Sequence, residues 1–333
     1  MGMARREAPA LRLSSFVISE NVEQEKKMAT FKEKLQDLGR GNMPGTAALK
    51  FLSDLPSEDR ATLREVWPTL PAERRERVMQ ALVTMIEDNI ELNFRHVFLI
   101  ALEDREAEVR LSAIEGLVED TSSLLLGRLL TMLRNDPDED VRAATAMALG
   151  RFTYLAQCNK LASNADPDRL RETLIQSARD NKEDEDVRRR AVEALGFYHQ
   201  DAEVQQLIAD QYRQSGRHAE SAVYAMGRSM DDLWQIIVLH ELNSERPAMR
   251  YEAAHAAGEM TLEEAVPQLV RLVADTDTEV RLAAVWALGQ IGGKTATDTL
   301  KQVLQSKDKA MREAAEEAMQ EIAFSSDPLN IEI

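Results

Sequence analysis

The chain has 333 residues, 44% hydrophobic and 30% charged, with a net charge of −17, which suits one extended packed array and repels a phosphate backbone. Nucleic acid is therefore excluded as the expected partner. No apolar run approaches the ~20 residues of a membrane span, and the single cysteine, Cys158, cannot form an internal disulfide, so no membrane insertion and a reducing, cytoplasmic location are expected.

Residues 1–43 stand apart as an N-terminal extension, with eight basic against six acidic residues where the rest of the chain is strongly acidic. The segment before Met28 has no repeat character and is expected to be partly disordered. A helix-like stretch, Phe31 to Leu38, begins just after Met28, which is the expected native start. From Pro44, residues 47–52, 60–67 and 74–86 read as amphipathic helices. Val78 stands 31 residues before Val109, so this region is expected to be the divergent end of an array, with Trp67 in its capping core.

The array itself is marked by a recurring pair, Val109-Arg110, Val141-Arg142, Val187-Arg188, Met249-Arg250, Val280-Arg281 and Met311-Arg312, with a worn copy at His218-Ala219. The successive intervals are 32, 46, 31, 31, 31 and 31 residues, the signature of stacked supersecondary units. Counting from the Val or Met anchor, apolar or small residues fill offsets 0, 4, 5, 8 and often 12. At about 100° per residue these share one broad helix face, the core face. Asp138, Asp184, Asp277 and Asp308, with Ser215 in the same column, precede the anchor by three residues and are expected to cap the helix. Alanine at offset 4 is expected to let neighbouring helices approach. Gly150, Gly196, Gly227, Gly258 and Gly289 follow at offset 9. A second apolar segment precedes each such helix, for example residues 265–274 with Pro267 in the first turn, giving two helices per unit. The 46-residue interval contains an insertion at 153–169, where the helix begun at Asp138 is expected to run on into a longer loop. The last helix is expected to end near Phe324, leaving 325–333 as a tail.

The unit resembles the HEAT repeat, in the short form found in phycobilisome-lyase-like proteins: an Asp-rich turn, Val-Arg, then Ala-x-x-Ala-Leu-Gly. The resemblance covers residues 44–324 and implies an all-α fold, an α-α superhelix or α-solenoid of eight or nine helical hairpins. It further implies an Asp and Arg ladder between repeats, with Ala219 interrupting the Arg column, and a concave face lined by the second helix of each pair.

Offset 6 points away from the core and reads Glu115, Met147, Glu193, Tyr224, His255, Trp286 and Glu317. Arg189, Tyr251 and Leu282 at offset 2, Arg151, Phe197, Arg228 and Glu259 at offset 10 and Tyr154 at offset 13 join that face. Aromatic groups rimmed by Arg and Glu are the composition of a protein-binding hot spot. The same rings can instead seal the layer by packing on one another. The expected function is a non-catalytic scaffold whose partner is a protein or peptide, favoured where it carries basic segments. The resemblance also admits a phycobilin-lyase-like or other tetrapyrrole-binding protein. Deoxyhypusine hydroxylase, another HEAT-type protein, binds iron through several His-Glu pairs. Here the inner-helix position carries Tyr251-Glu252, His240-Glu241 lies on the other helix, and no cofactor or metal is expected.

Overall fold

The computed structural model describes residues 30–326 and divides the chain into two compact units, meeting at Asp120 and Thr121. The expected start at Met28, the segment before it and the tail from 327 lie outside the described residues.

The first unit contains α1 (30–38), α2 (Thr46–Leu49), α3 (Ser57–Val66), α4 (Ala72–Asp88), α5 (Arg95–Ala101) and α6 (Ala107–Gly116). Phe31, Leu35 and Leu38 of α1 are buried, so packed structure begins inside the segment set apart by sequence as an extension. Trp67 is a core residue, 2% exposed. Its Nε1 donates to Asp104 at 2.7 Å, and buried Arg75 pairs with the same carboxylate, its Nη2 donating to the other oxygen at 3.0 Å.

The second unit contains six hairpins: α7 (Ser123–Asn135) with α8 (Glu139–Gln157), α9 (Pro167–Arg179) with α10 (Glu185–Leu195), and α11 (Ala202–Tyr212) with α12 (Arg217–Ser229). They continue as α13 (Gln235–Glu241) with α14 (Pro247–Glu259), α15 (Val266–Leu272) with α16 (Thr278–Ile291), and α17 (Gly293–Val303) with α18 (Lys309–Ser326). No strand occurs among the described residues of either unit. The architecture is the all-α repeat stack that the 31-residue period implies. Where the interval lengthens to 46 residues, α8 continues to Gln157, and Asp166 caps α9 with Pro167 in its first turn.

Successive second helices are held together by a glycine and an alanine. A Cβ built on Gly227 would lie 2.6 Å from Cα of Ala256, on Gly258 3.0 Å from Cα of Ala287, and on Gly289 2.8 Å from Cα of Ala318. The offset-9 glycine of one helix thus meets the offset-7 alanine of the next, backbone to backbone. Sequence reasoning assigned the close approach to the offset-4 alanines; those are fully buried, but the tightest contact is made elsewhere.

Asp138, Asp184 and Asp277 cap their helices through side-chain oxygens, and Asp308 accepts from the amide of Ala310. Ser215 does not cap. The residue before α12 is Gly216, in the left-handed region at φ 72°, and this turn carries the serine past the capping position. Replacing Asp277 with Ala should therefore cost about 1 kcal/mol, whereas Ser215→Ala should leave the urea midpoint unchanged.

The Arg column is fastened twice. Arg142, Arg250, Arg281 and Arg312 each donate to the carbonyl six residues earlier, at 2.8 to 3.0 Å, closing the loop that leads into their own helix. Arg142 also pairs with Glu183 and Arg250 with Asp275, both at 2.7 Å, and Arg281 reaches Asp308 at 3.9 Å, which forms the rungs between repeats. At the interrupted position Ala219 is buried, and Arg246 of the next loop reaches back to Glu220 and the Gly216 carbonyl instead.

The glycine contacts have a testable sign. Alanine is favoured over glycine within a helix by about 1 kcal/mol, and at Gly150 a Cβ would meet Ala194 at an ordinary 3.5 Å, so Gly150→Ala should stabilise. At Gly227 the two backbones must part, so Gly227→Ala should destabilise by about 1–3 kcal/mol. Urea midpoints followed by circular dichroism compare the two; shifts of the same sign would sink the close-contact account.

Candidate functional site

Each second helix of the inner series is occupied on three sides. The core face meets the first helices, and the glycine and alanine flanks meet the neighbours before and after. The remaining face carries offsets 2, 3, 6, 10 and 13, and there α8 to α16 bring together most of the residues singled out by sequence.

The aromatic groups touch one another. Tyr251 and His255 meet at 4.7 Å between ring centroids with their planes tilted by 59°, and His255 and Trp286 at 4.7 Å with a tilt of 34°, so rings from adjacent repeats form one run of contacts. Trp286 leans over Gly258, against the position a Cβ would take there. Farther back, Tyr154 meets the edge of Phe197 at 5.4 Å, and the guanidinium of Arg228 lies over both Phe197 and Tyr224. Tyr154 reaches this place because α8 extends beyond the length of its neighbours.

Two adjoining clefts open on this face. The first, of about 480 Å³, is lined by Met147, Arg151, Tyr154, Phe197, Tyr224 and Arg228 over Gly150 and Ala194. The second, of about 400 Å³, lies between α10, α12 and α14, with Glu193, Tyr224, Arg228, Tyr251, Glu252 and His255 among its walls. Leu282 and Trp286 border neither cleft and extend the ring surface along α16.

Two residues expected on the open face are instead buried. Arg189 is 6% and Glu193 8% exposed; they pair at 2.9 Å, and Ser221 of α12 donates to the Glu193 carboxylate. Both are covered by the next helix, whose Ser221 bonds each of them. Glu259 is held by Arg228 at 3.0 Å, and His255 is enclosed by two rings, so the His255 and Glu259 pair is committed to packing and an ion pair. Among the described residues, no group of three or more His, Cys, Asp or Glu side chains is arranged to hold a metal.

Sequence reasoning names Glu252 only beside Tyr251, at the place where a metal-binding relative would carry a His-Glu pair, and not among the binding residues. Offset 3 lies about 60° from offset 6 at about 100° per residue, so the helical projection contained the signal. Burial, reinforced by the charges of Glu193 and Glu259 and only partly opposed by Arg190 and Arg189, pushes the Glu252 carboxyl up to about 7. Burial also raises Glu259, against the opposing pull of Arg228, and lowers His255, which Arg228 lowers further.

These observations define an α-solenoid whose second helices leave a single face free, lined with rings and paired charges. The HEAT-repeat sequence profile matches residues 94–179 and 237–320, together just over half of the 333-residue chain, and the protein belongs to that family. No curated relative matches the sequence. Among solved structures it is similar to an engineered protein, at 16% identity and a TM-score of 0.40 over 90% of this chain and 95% of that one. It is similar to human deoxyhypusine hydroxylase in complex with glycerol, at 19% identity and 0.29 over 91% and 99%. Importin β in an ammonium sulfate condition aligns at 16% identity and 0.44 over 95% of this chain, which spans 44% of that one.

Glu252 makes the stability of the second unit depend on pH. Its folded value, about 7, exceeds the ordinary 4.5, so the native state holds the proton more tightly and stability falls as pH rises between those values. Glu252→Gln should therefore stabilise at pH 8, by at most about 3 kcal/mol, and have little effect at pH 4. Urea midpoints across that range check it; a variant no more stable than the parent at pH 8 contradicts the assignment.

Proposed function

We propose that this HEAT-repeat chain is a non-catalytic interaction platform that takes a protein or peptide along the inner face of its second helices. The observation that supports this best is the pair of adjoining clefts, with Met147 57% and Tyr154 47% exposed at the edge of the first. Apolar and aromatic groups left open beside paired charges offer both contact area and orientation to a partner. The net charge of −17 favours partners with basic segments through faster and better oriented encounter. No helix among the described residues is long and apolar enough to cross a membrane, and an exposed, lone Cys158 suits a reducing compartment, which supports a cytoplasmic setting.

The run of ring contacts through Tyr251, His255 and Trp286 supports a second reading, a planar tetrapyrrole lying across it as in a lyase-like or carrier role. Titration with haem or a bilin separates the two: a saturable absorbance shift lost in Trp286→Ala supports the second.

For the platform, the test is affinity purification from the native host followed by mapping of the contact. Trp286 is only partly buried, so Trp286→Ala should cost less than the about 3–5 kcal/mol of a buried aromatic and leave the helical spectrum intact. The expected result is a folded variant that no longer retains the partner. A folded variant that retains it with unchanged affinity would count against this face.

A further inference from the structure

The two clefts share the α12 wall formed by Tyr224 and Arg228, but they differ in character. The floor of the first is Gly150 and Ala194, so its depth comes from missing side chains, and its open edge is Met147 and Tyr154. It suits an apolar side chain.

The second holds four guanidinium groups and four carboxylates. Seven of these eight are matched within the protein: Arg189 and Arg190 by Glu193, Arg217 by Asp186, Arg228 by Glu259, and Glu220 by Arg246. Glu252 is the eighth. Among the described residues no cationic side chain stands within ion-pair distance of it, and it makes no hydrogen bond.

The clefts are displaced from each other by one helix, and packed helices stand about 8–10 Å apart. A polyproline II peptide has three residues per turn and rises about 3.1 Å per residue. Its side chains at i and i+3 therefore share a face at about that separation.

We propose that the two clefts read one extended peptide segment, seating an apolar side chain over Gly150 and Ala194 and, three residues away, a lysine or arginine whose cation pairs with Glu252. This rests on the platform reading and names what the platform recognises. It also accounts for a carboxylate kept where its ionisation is opposed by burial and by Glu193 and Glu259: a bound cation supplies the missing counter-charge.

The test uses the full chain and fluorescein-labelled octapeptides of alternating Ala and Pro. One position is fixed as Leu, and Lys, Gln or Glu stands two, three or four residues away, with binding read by fluorescence anisotropy. The Leu and Lys peptide at a spacing of three should bind about tenfold more tightly than its Gln and Glu counterparts. Glu252→Gln should abolish that preference, while Met147→Glu, at an exposed position, should weaken every Leu peptide. Both variants should keep the wild-type circular dichroism spectrum. A lysine preference that survives Glu252→Gln, or equal binding at all three spacings, overturns the cation seat even where peptide capture still supports a platform. If no peptide of the panel binds while a cellular partner is still lost in Trp286→Ala, the two-cleft recognition falls and the platform stands; failure of both removes both.

Discussion

The contact on which the second unit depends is the approach of an offset-9 glycine to the offset-7 alanine of the next repeat. At about 100° per residue these positions lie about 160° apart on one helix, so each second helix is gripped on opposite flanks by its neighbours. The apolar offsets 0, 4, 5 and 8 occupy a third side, against the first helices. One side is left. That the inner face is open is thus a consequence of how the stack is built, and what lines it is whatever the sequence places at offsets 2, 3, 6, 10 and 13. The same close spacing brings rings from separate repeats within touching distance, as with His255 and Trp286 at 4.7 Å. The rings of the aromatic surface therefore pack on one another laterally, from helix to helix.

The charges divide by position. Those in the loops hold the stack: Arg142, Arg250 and Arg281 each fasten their own loop carbonyl and a carboxylate of the following repeat. Arg142 and Arg250 are largely buried, and a carboxylate with two N–H donors in a low-dielectric setting makes a stronger contact than a solvated surface pair. The interruption at Ala219 is compensated from the other direction by Arg246. On the inner face Arg189 and Glu193 bond Ser221 of the next helix and Arg228 pairs with Glu259, so these charges also tie neighbours together, whereas among the described residues Glu252 takes part in no ion pair.

Much of this was legible in the sequence, because a repeat turns one physical constraint into a column that can be read seven times. The period, the helix pair, the Asp caps and the inward direction of offset 6 all come from such columns. What was not legible depends on distance between helices. The offset-4 and offset-7 alanines look alike in a pattern, and only the coordinates show which of them meets a backbone. Arg189 and Glu193 lie on the expected face yet are buried, because solvent exposure is set by the neighbouring helix and not by the projection of one. Ser215 occupies the capping column, but the positive φ of Gly216 moves it out of register, a conformational fact that a residue-type column does not carry. Glu252 lies beside offset 6 on the helical wheel, but in a strongly acidic chain its residue type carries no signal; its interest comes from its place in the second cleft, where among the described residues it has no ion-pair partner.

The glycine contacts also bear on the width of the site. A Cβ on Gly150 would stand 3.5 Å from the next backbone, on Gly196 3.1 Å, and on Gly227 2.6 Å, so the stack tightens from α8 towards α14. The first cleft lies at the loose end, where α8 is longest and the repeat interval stretches to 46 residues. Here α8 runs on past the length of its neighbours, and Tyr154, carried on its added turn, meets Phe197 at the side of the opening. A regular 31-residue unit would have ended before that turn and left no such wall. The irregular repeat is therefore what gives this face a place distinct from the rest, and it does so without altering the glycine and alanine register that holds the other helices together.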